Sequence, residues 1–173
     1  KSAFASRSFS GTDAFAMVDA ISACDIALWD LLGKISDQPV HRLLGSSKHT
    51  VRAYFAPSVK PVDQIVEEAR RAVADGYTAM KLRVLGDIGD AVELVGSVRD
   101  AVGAGIDLGV DANMSYDRRG ALQLARELEG LQVAWLEEPI LARSLTQYAD
   151  DHTWLADRLG DGRRYLQLGE LLH

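Results

Sequence analysis

Cysteine is nearly missing from this sequence: Cys24 stands alone, so no disulfide can form within the chain. A reducing compartment fits that count, and a cytoplasmic location is the expectation. Cys24 falls in an apolar helical stretch with no histidine near it, which predicts a buried structural thiol rather than a nucleophile. Basic charge is short as well. Lys and Arg number 19 against 25 Asp and Glu, a formal net charge of −6, which argues against nucleic-acid binding because that needs a basic face. No apolar run approaches the roughly 20 residues required to cross a bilayer, and the chain does not open with the charged and apolar segments of a signal peptide. Neither a membrane partner nor a leader is therefore expected. The first residue is Lys1 rather than Met, so the natural N-terminus is expected to lie upstream. The histidines form no spaced motif, and His41, His49 and His152 are expected at the surface or in loops.

What is present is an ordinary globular composition: 47% hydrophobic and 25% charged over 173 residues, enough to bury a good core. Residues 1–12 are polar and serine-rich and read as a lead-in. Phe15, Val18, Ile21, Ile26, Trp29 and Leu32 then recur at helical spacing, with Gly33 where a C-terminal stop is expected. A short helix over about 39–44 ends at Gly45. From residue 51 the pattern changes to short apolar runs alternating with amphipathic helices. Strands are expected at 51–55, 79–84, 106–110, 133–136 and 165–168. Helices are expected at 62–74, near 90–102, near 119–128 and from about 145 to 159. The strand starts repeat roughly every 27 residues, which means βαβ units and a parallel sheet. An open doubly wound sheet and a (β/α)₈ barrel compete. The turn after the first strand, Phe55-Ala56-Pro57-Ser58-Val59, has no glycine for a dinucleotide, which favours the barrel. Trp29, Trp135 and Trp154 sit at apolar positions and are expected in the core. Five strands cannot close a barrel of eight, so the chain is expected to be a fragment or to obtain the other units elsewhere.

In parallel α/β folds the active site lies at the C-terminal ends of the strands. The second expected strand ends in Lys81-Leu82-Arg83, the third in Asp111-Ala112-Asn113, the fourth in Glu137-Glu138-Pro139 and the fifth in Gly169-Glu170. Residues i and i+2 of a strand share a face, so Lys81 and Arg83 point together, away from Met80, Leu82 and Val84. With the apolar side chains set against helices, both cations face the interior. Two buried like charges are costly unless anions answer them. They could form structural salt bridges to the neighbouring acids. Alternatively they hold a substrate carboxylate, with desolvation and like charge depressing the Lys81 pKa towards base duty. Asp111, Glu137 and Glu170 form an acidic set at one rim, and three ionised carboxylates there require a strong cation. A hard divalent ion with oxygen ligands, Mg²⁺ above all, meets that need and leaves positions for substrate. Asn113 is a candidate substrate-binding residue, with a turn-forming role as the alternative. Glu138 is expected to point away from Glu137 and to be structural.

These residues together resemble the mandelate racemase/muconate lactonizing enzyme family of the enolase superfamily. The resemblance runs over nearly the whole chain. It includes the helix from Asp19 to Asp30, whose Ala23-Cys24-Asp25-Ile26-Ala27-Leu28-Trp29-Asp30 looks like the family's capping-domain helix. It continues through Pro39-Val40-His41-Arg42-Leu43-Leu44-Gly45 and then the four strand-end motifs in the family's order. The resemblance implies a fold of the α/β class: a partial (β/α)₈ TIM-type barrel of five strands over 49–173, preceded by the helical part of an α+β capping domain over 1–48. It implies Asp111, Glu137 and Glu170 as Mg²⁺ ligands that hold the substrate carboxylate and stabilise the enediolate formed when the α-proton leaves. It also implies a homo-oligomer. The chain departs from the family's K-x-K motif: the usual second lysine is Arg83, a poor proton acceptor. Either Lys81 is the base, or abstraction comes from the opposite face and Arg83 steadies charge. The opposite-face base lies on later strands in the family, beyond His173.

The expected function is α-proton abstraction from a carboxylate, foremost dehydration of a sugar acid, with racemisation or cycloisomerisation as sister outcomes. Two rivals remain. One is another metal-assisted barrel chemistry, such as an aldolase or a phosphate-binding isomerase. The other is a non-catalytic truncated barrel that serves as a binding or assembly module.

Overall fold

The computed structural model describes residues 11–140, 145–159 and 166–167. The chain divides into two compact units, Lys1–Val51 and Arg52–His173. In the first, helix α1 (Gly11–Ser36) is followed by the one-turn helix α2 (Val40–Leu43). Helix α1 passes Gly33 and runs three residues beyond the expected stop. The left-handed cap is taken instead by Asp37, with φ 51°. Gly33 serves the chain reversal, because a Cβ there would lie 2.9 Å from the Gln38 carbonyl oxygen. Cys24 is exposed, contrary to the buried thiol expected from its apolar neighbours. The four residues of α2 are too few to cover a 26-residue helix, so Ile21, Ile26, Leu28, Leu31 and Ile35 are exposed with it.

The second unit is α/β. Helix α3 (Val62–Ala74), strand β1 (Ala79–Arg83), helix α4 (Ile88–Val102), strand β2 (Asp107–Asp111), helix α5 (Arg118–Gly130), strand β3 (Trp135–Glu137), helix α6 (Leu145–Leu159) and strand β4 (Leu166–Gln167) follow in turn. The strands pair in parallel in the order β1-β2-β3-β4. Local chemistry sets the helix starts. The Asp87 carboxylate accepts from the Gly89 N–H at the head of α4, and Asp117 accepts from Gly120 at the head of α5, both at 2.7 Å. Helical spacing then delivers one buried face each: Ile65, Ala69 and Ala72; Ala91, Leu94, Val95 and Val98; Ala121, Leu124, Ala125 and Leu128. No helix among the described residues is long and apolar enough to cross a membrane.

Strand parity supplies the other half of the core. Met80 and Leu82, Leu108 and Val110, and Leu136 are buried in the same cluster as most of those helix residues. The register aligns Leu82 with Val110 and Val110 with Leu136. One face of the sheet is thus committed to the helices, and the alternate residues are left to the other.

The expected first strand at 51–55 is reduced to one residue. Phe55 forms an isolated parallel bridge with Met80, its N–H donating to the Ala79 oxygen and its carbonyl accepting from Lys81. Arg52 reaches the other end of the sheet, donating to the Thr78 oxygens and to Asp107 Oδ2 at 2.7 Å. Helix α6 is fixed to α5 through Arg118, which pairs with the buried Asp151 at 2.5 Å and lies over the Trp154 ring.

A second arginine closes the helix-to-strand loops. Arg99 donates to the carbonyls of Gly103, Ile106, Leu131 and Gln132 at 2.7–3.0 Å, tying the end of α4 to the end of α5. Several carbonyls lose a charged donor together if it is removed. Arg99→Met is expected to lower stability by about 2–4 kcal/mol, read from the midpoint of urea unfolding. A change below about 0.5 kcal/mol would show that water replaces these bonds at no cost.

Candidate metal centre

The register sets two rows of residues across the face that does not meet the helices. Arg83, Asp111 and Glu137 stand side by side in one row, and Lys81, Gly109 and Trp135 in the row two residues deeper. The outer row is the C-terminal edge of the sheet, where parallel α/β proteins carry their chemistry. The two rows together hold four of the expected site residues: Lys81 in the deeper row and Arg83, Asp111 and Glu137 in the outer one.

Lys81 is the centre of the group. Its Nζ lies 3.2 Å from Asp111 Oδ2 and 3.3 Å from Glu137 Oε1. All three side chains are mostly buried, at 13%, 6% and 13% exposure respectively. Arg83 approaches the same Asp111 oxygen at 3.6 Å, but its side chain is 49% exposed. The two cations are therefore unequal, contrary to the expectation that both are buried. The strand ends at Arg83, and its long side chain reaches water there.

The expected depression of the Lys81 pKa is not found. Burial pulls it down, but the carboxylates of Glu137 and Asp111 outweigh burial, and the net direction is upward. Opposite charge at contact distance favours the ammonium more than partial desolvation disfavours it.

Beyond Asp111 the backbone turns sharply. Asn113 has φ 46° and Met114 φ 58°, and across from them Glu138 has φ 44°. Left-handed backbone at non-glycine residues is costly, and it persists where surrounding bonds enforce it. Here the Asn113 N–H donates to Asp111 Oδ1 at 2.9 Å, and the Met114 N–H donates to the Glu138 carbonyl at 2.7 Å. Because β2 ends at Asp111, Asn113 does not continue its face. Its side chain is exposed, and its backbone makes the turn that orients Asp111. The backbone of Asn113 thus makes a turn beside the site, and its side chain is left exposed.

Trp135 corrects the sequence reading. It is not part of the helix-facing core; it lies on the same face as Glu137 and donates its indole N–H to Glu137 Oε2 at 3.3 Å. Tyr54 packs against its ring at a centroid distance of 5.8 Å and also stands 5.8 Å from Lys81 Nζ. Both aromatics went unnoticed as site residues, although Trp135 precedes Glu137 by the two positions that place it on the same face.

Among the described residues no group of three or more His, Cys, Asp or Glu side chains is placed to hold a metal ion. Glu170 lies outside the described residues. The donor set that is described suits a hard cation nonetheless. One buried and one mostly buried carboxylate converge on one positive charge, every donor is oxygen, and ionised carboxylates accept more bonds than these receive.

Residues 64–163 match the family description Enolase C-terminal domain-like, and residues 4–45 match Mandelate racemase / muconate lactonizing enzyme, N-terminal domain. An α/β chain with an acid-bearing edge on a parallel sheet is the class of protein so defined, and this chain belongs to the mandelate racemase/muconate lactonizing enzyme family of the enolase superfamily. Arabinonate dehydratase of Saccharolobus solfataricus is 33% identical over 147 residues, which is 82% of this chain and 38% of that protein. The 3,6-anhydro-alpha-L-galactonate cycloisomerase of Streptomyces coelicolor is 37% identical over 129 residues, covering 73% of this chain and 36% of that one. The crystal structure of a racemase from Streptomyces coelicolor A3(2) with bound magnesium superposes with a TM-score of 0.77 at 33% identity, over 89% of this chain and 42% of that one. The chain thus spans well under half the length of these relatives.

Removing the shared cation leaves two carboxylates facing each other across a mostly buried gap. Lys81→Met is expected to lower stability by about 2–4 kcal/mol in urea unfolding, with Arg83 answering part of the charge. The same change made with Asp111→Asn should cost measurably less, because one of the stranded charges is gone. Equal costs in both backgrounds would mean that Lys81 acts by packing rather than by charge.

Proposed function

We propose that this chain carries the metal-binding edge of a Mg²⁺-dependent enzyme that removes the α-proton of a carboxylate substrate. Asp111, Glu137 and Glu170 are the proposed ligands. The observation that supports this most is the register of Asp111 with Glu137 and the convergence of both carboxylates on one cation at the C-terminal edge of the sheet. When bound, such an ion supplies concentrated positive charge to the carboxylate end of the substrate.

The chain's own residues divide the remaining work. The Asp111 carboxylate is held by the Asn113 N–H and Glu137 by the Trp135 indole, so the acids are set in place before any ligand arrives. Arg83 stays charged and half-exposed beside Asp111, suited to steadying negative charge on a substrate rather than to accepting a proton. Two sources of the base are compatible with this edge: Lys81, or a side chain reaching the substrate from the opposite face. Asn113, with its side chain exposed beside Asp111, is a proposed substrate contact.

The reaction is one of those the relatives' names span. Sugar-acid dehydration comes first, on the strength of the arabinonate dehydratase match, and racemisation and cycloisomerisation share its first step. The fold proposal follows the same reading. Phe55 marks the first strand and β1 to β4 the next four of a (β/α)₈ barrel over 49–173, and 1–48 is the helical part of a capping domain.

Titration calorimetry with Mg²⁺ on the full protein tests the ligand set. Asp111→Asn and Glu137→Gln are each expected to weaken binding by about 100-fold or more. Unchanged affinity in both variants, or no Mg²⁺ binding by the unaltered protein, would instead support a non-catalytic module.

A further inference from the structure

Trp135 occupies space that only a glycine neighbour leaves open. It stands opposite Gly109 in the β2–β3 register, and a Cβ on Gly109 would fall 2.0 Å from Cε2 and 2.1 Å from Cζ2 of the indole. No side chain can be fitted at that distance, so the ring lies over the β2 backbone itself. Tyr54, from the segment that bridges to β1 at Phe55, closes against the ring at 5.8 Å. The indole is thereby hemmed in by β2 and by the segment that bridges to β1, and its one polar atom is aimed at Glu137 Oε2, 3.3 Å away. The other oxygen of that carboxylate, Oε1, is the one that meets the Lys81 ammonium, which also contacts Asp111.

We propose that Trp135, seated by Gly109 and Tyr54, is a positioning residue that fixes the plane of the Glu137 carboxylate, so that Oε1 is presented to the cation shared with Asp111. This rests on the reading of Asp111 and Glu137 as metal ligands. Glutamate has three side-chain torsions, and its terminal torsion is broad. Without the indole N–H the carboxylate must be ordered at the moment a cation binds, at a cost in affinity. Groups that orient a metal ligand in this way typically change affinity tenfold to a hundredfold when removed.

Mn²⁺ binding to the full protein, followed by calorimetry and by the electron paramagnetic resonance of free Mn²⁺, provides the test. Trp135→Phe keeps an aromatic ring and removes the donor, and should weaken binding about tenfold. Gly109→Ala displaces the ring and should weaken binding to a similar degree. Combining Gly109→Ala with Trp135→Leu should be no worse than Trp135→Leu alone, since both act on one bond. Leu82→Ala, on the helix-facing side of β1, should lower the urea midpoint yet leave Mn²⁺ affinity unchanged, which separates positioning from general destabilisation. A readout that needs no altered fold accompanies these. Mg²⁺ titration of the unaltered protein should change its tryptophan fluorescence, and Trp135→Phe should abolish that change.

Mn²⁺ affinity within twofold of the unaltered protein in Trp135→Phe, while Asp111→Asn loses binding, would overturn the positioning role and leave the metal reading intact. Binding that survives Asp111→Asn would overturn both.

Discussion

One ammonium nitrogen answers two carboxylates at the edge of this sheet, and much else in the second unit is arranged to make that contact possible. Lys81, Asp111 and Glu137 come from three strands, so they meet only if the strands pair in a single register. A slip of one residue would turn all three side chains into the helix-facing core and bring Leu82, Val110 and Leu136 out. Burying those leucines and valines and bringing the charges together are therefore one constraint seen from the two faces of the sheet. The apolar face supplies the stabilisation, at roughly 1.5–3 kcal/mol for each fully buried aliphatic side chain. The polar face is held in its arrangement by that register.

Such an arrangement is not there for stability. A buried ion pair gains little over a well-packed apolar replacement, because both partners lose their hydration. Three left-handed non-glycine residues, Asn113, Met114 and Glu138, sit immediately beyond the acids and add a further cost. Stability comes from other parts of the unit: the capped and amphipathic helices, the Arg99 bonds across the loops, and the Arg118–Asp151 pair that seats α6. The edge combines charge, burial and strain where a parallel sheet places its chemistry, and a structure similar to this chain, the racemase from Streptomyces coelicolor A3(2), holds bound magnesium.

Much of the fold was legible in the sequence because the helix and strand periods differ. The helix expected at 62–74 is α3 to the residue, and the one at 145–159 is α6, since apolar spacing and flanking turn residues mark both ends. The strand at 51–55 was overestimated. Its residues are apolar enough for a strand, yet only Phe55 makes a bridge, and a single bridge is not a strand. Within the site, Asp111, Glu137 and Lys81 could be placed from strand-end position and the two-residue parity. The exposure of Arg83 could not, because it depends on where β1 stops. Trp135 was hidden by its chemistry: a tryptophan at an apolar strand position reads as core, and its polar role needs the gap at Gly109, which only the register reveals. The upward Lys81 pKa was also beyond sequence, since it turns on distances to two acids 30 and 56 positions away.

The account stands on the claim that Asp111 and Glu137 hold one divalent cation between them. Anomalous diffraction at the manganese edge, from crystals of the full protein grown with Mn²⁺, tests it most directly. The account predicts a single strong peak within coordination distance of both carboxylates, with the Lys81 ammonium displaced from its place between them. A peak elsewhere, or none while Lys81 still bridges the two acids, would contradict it.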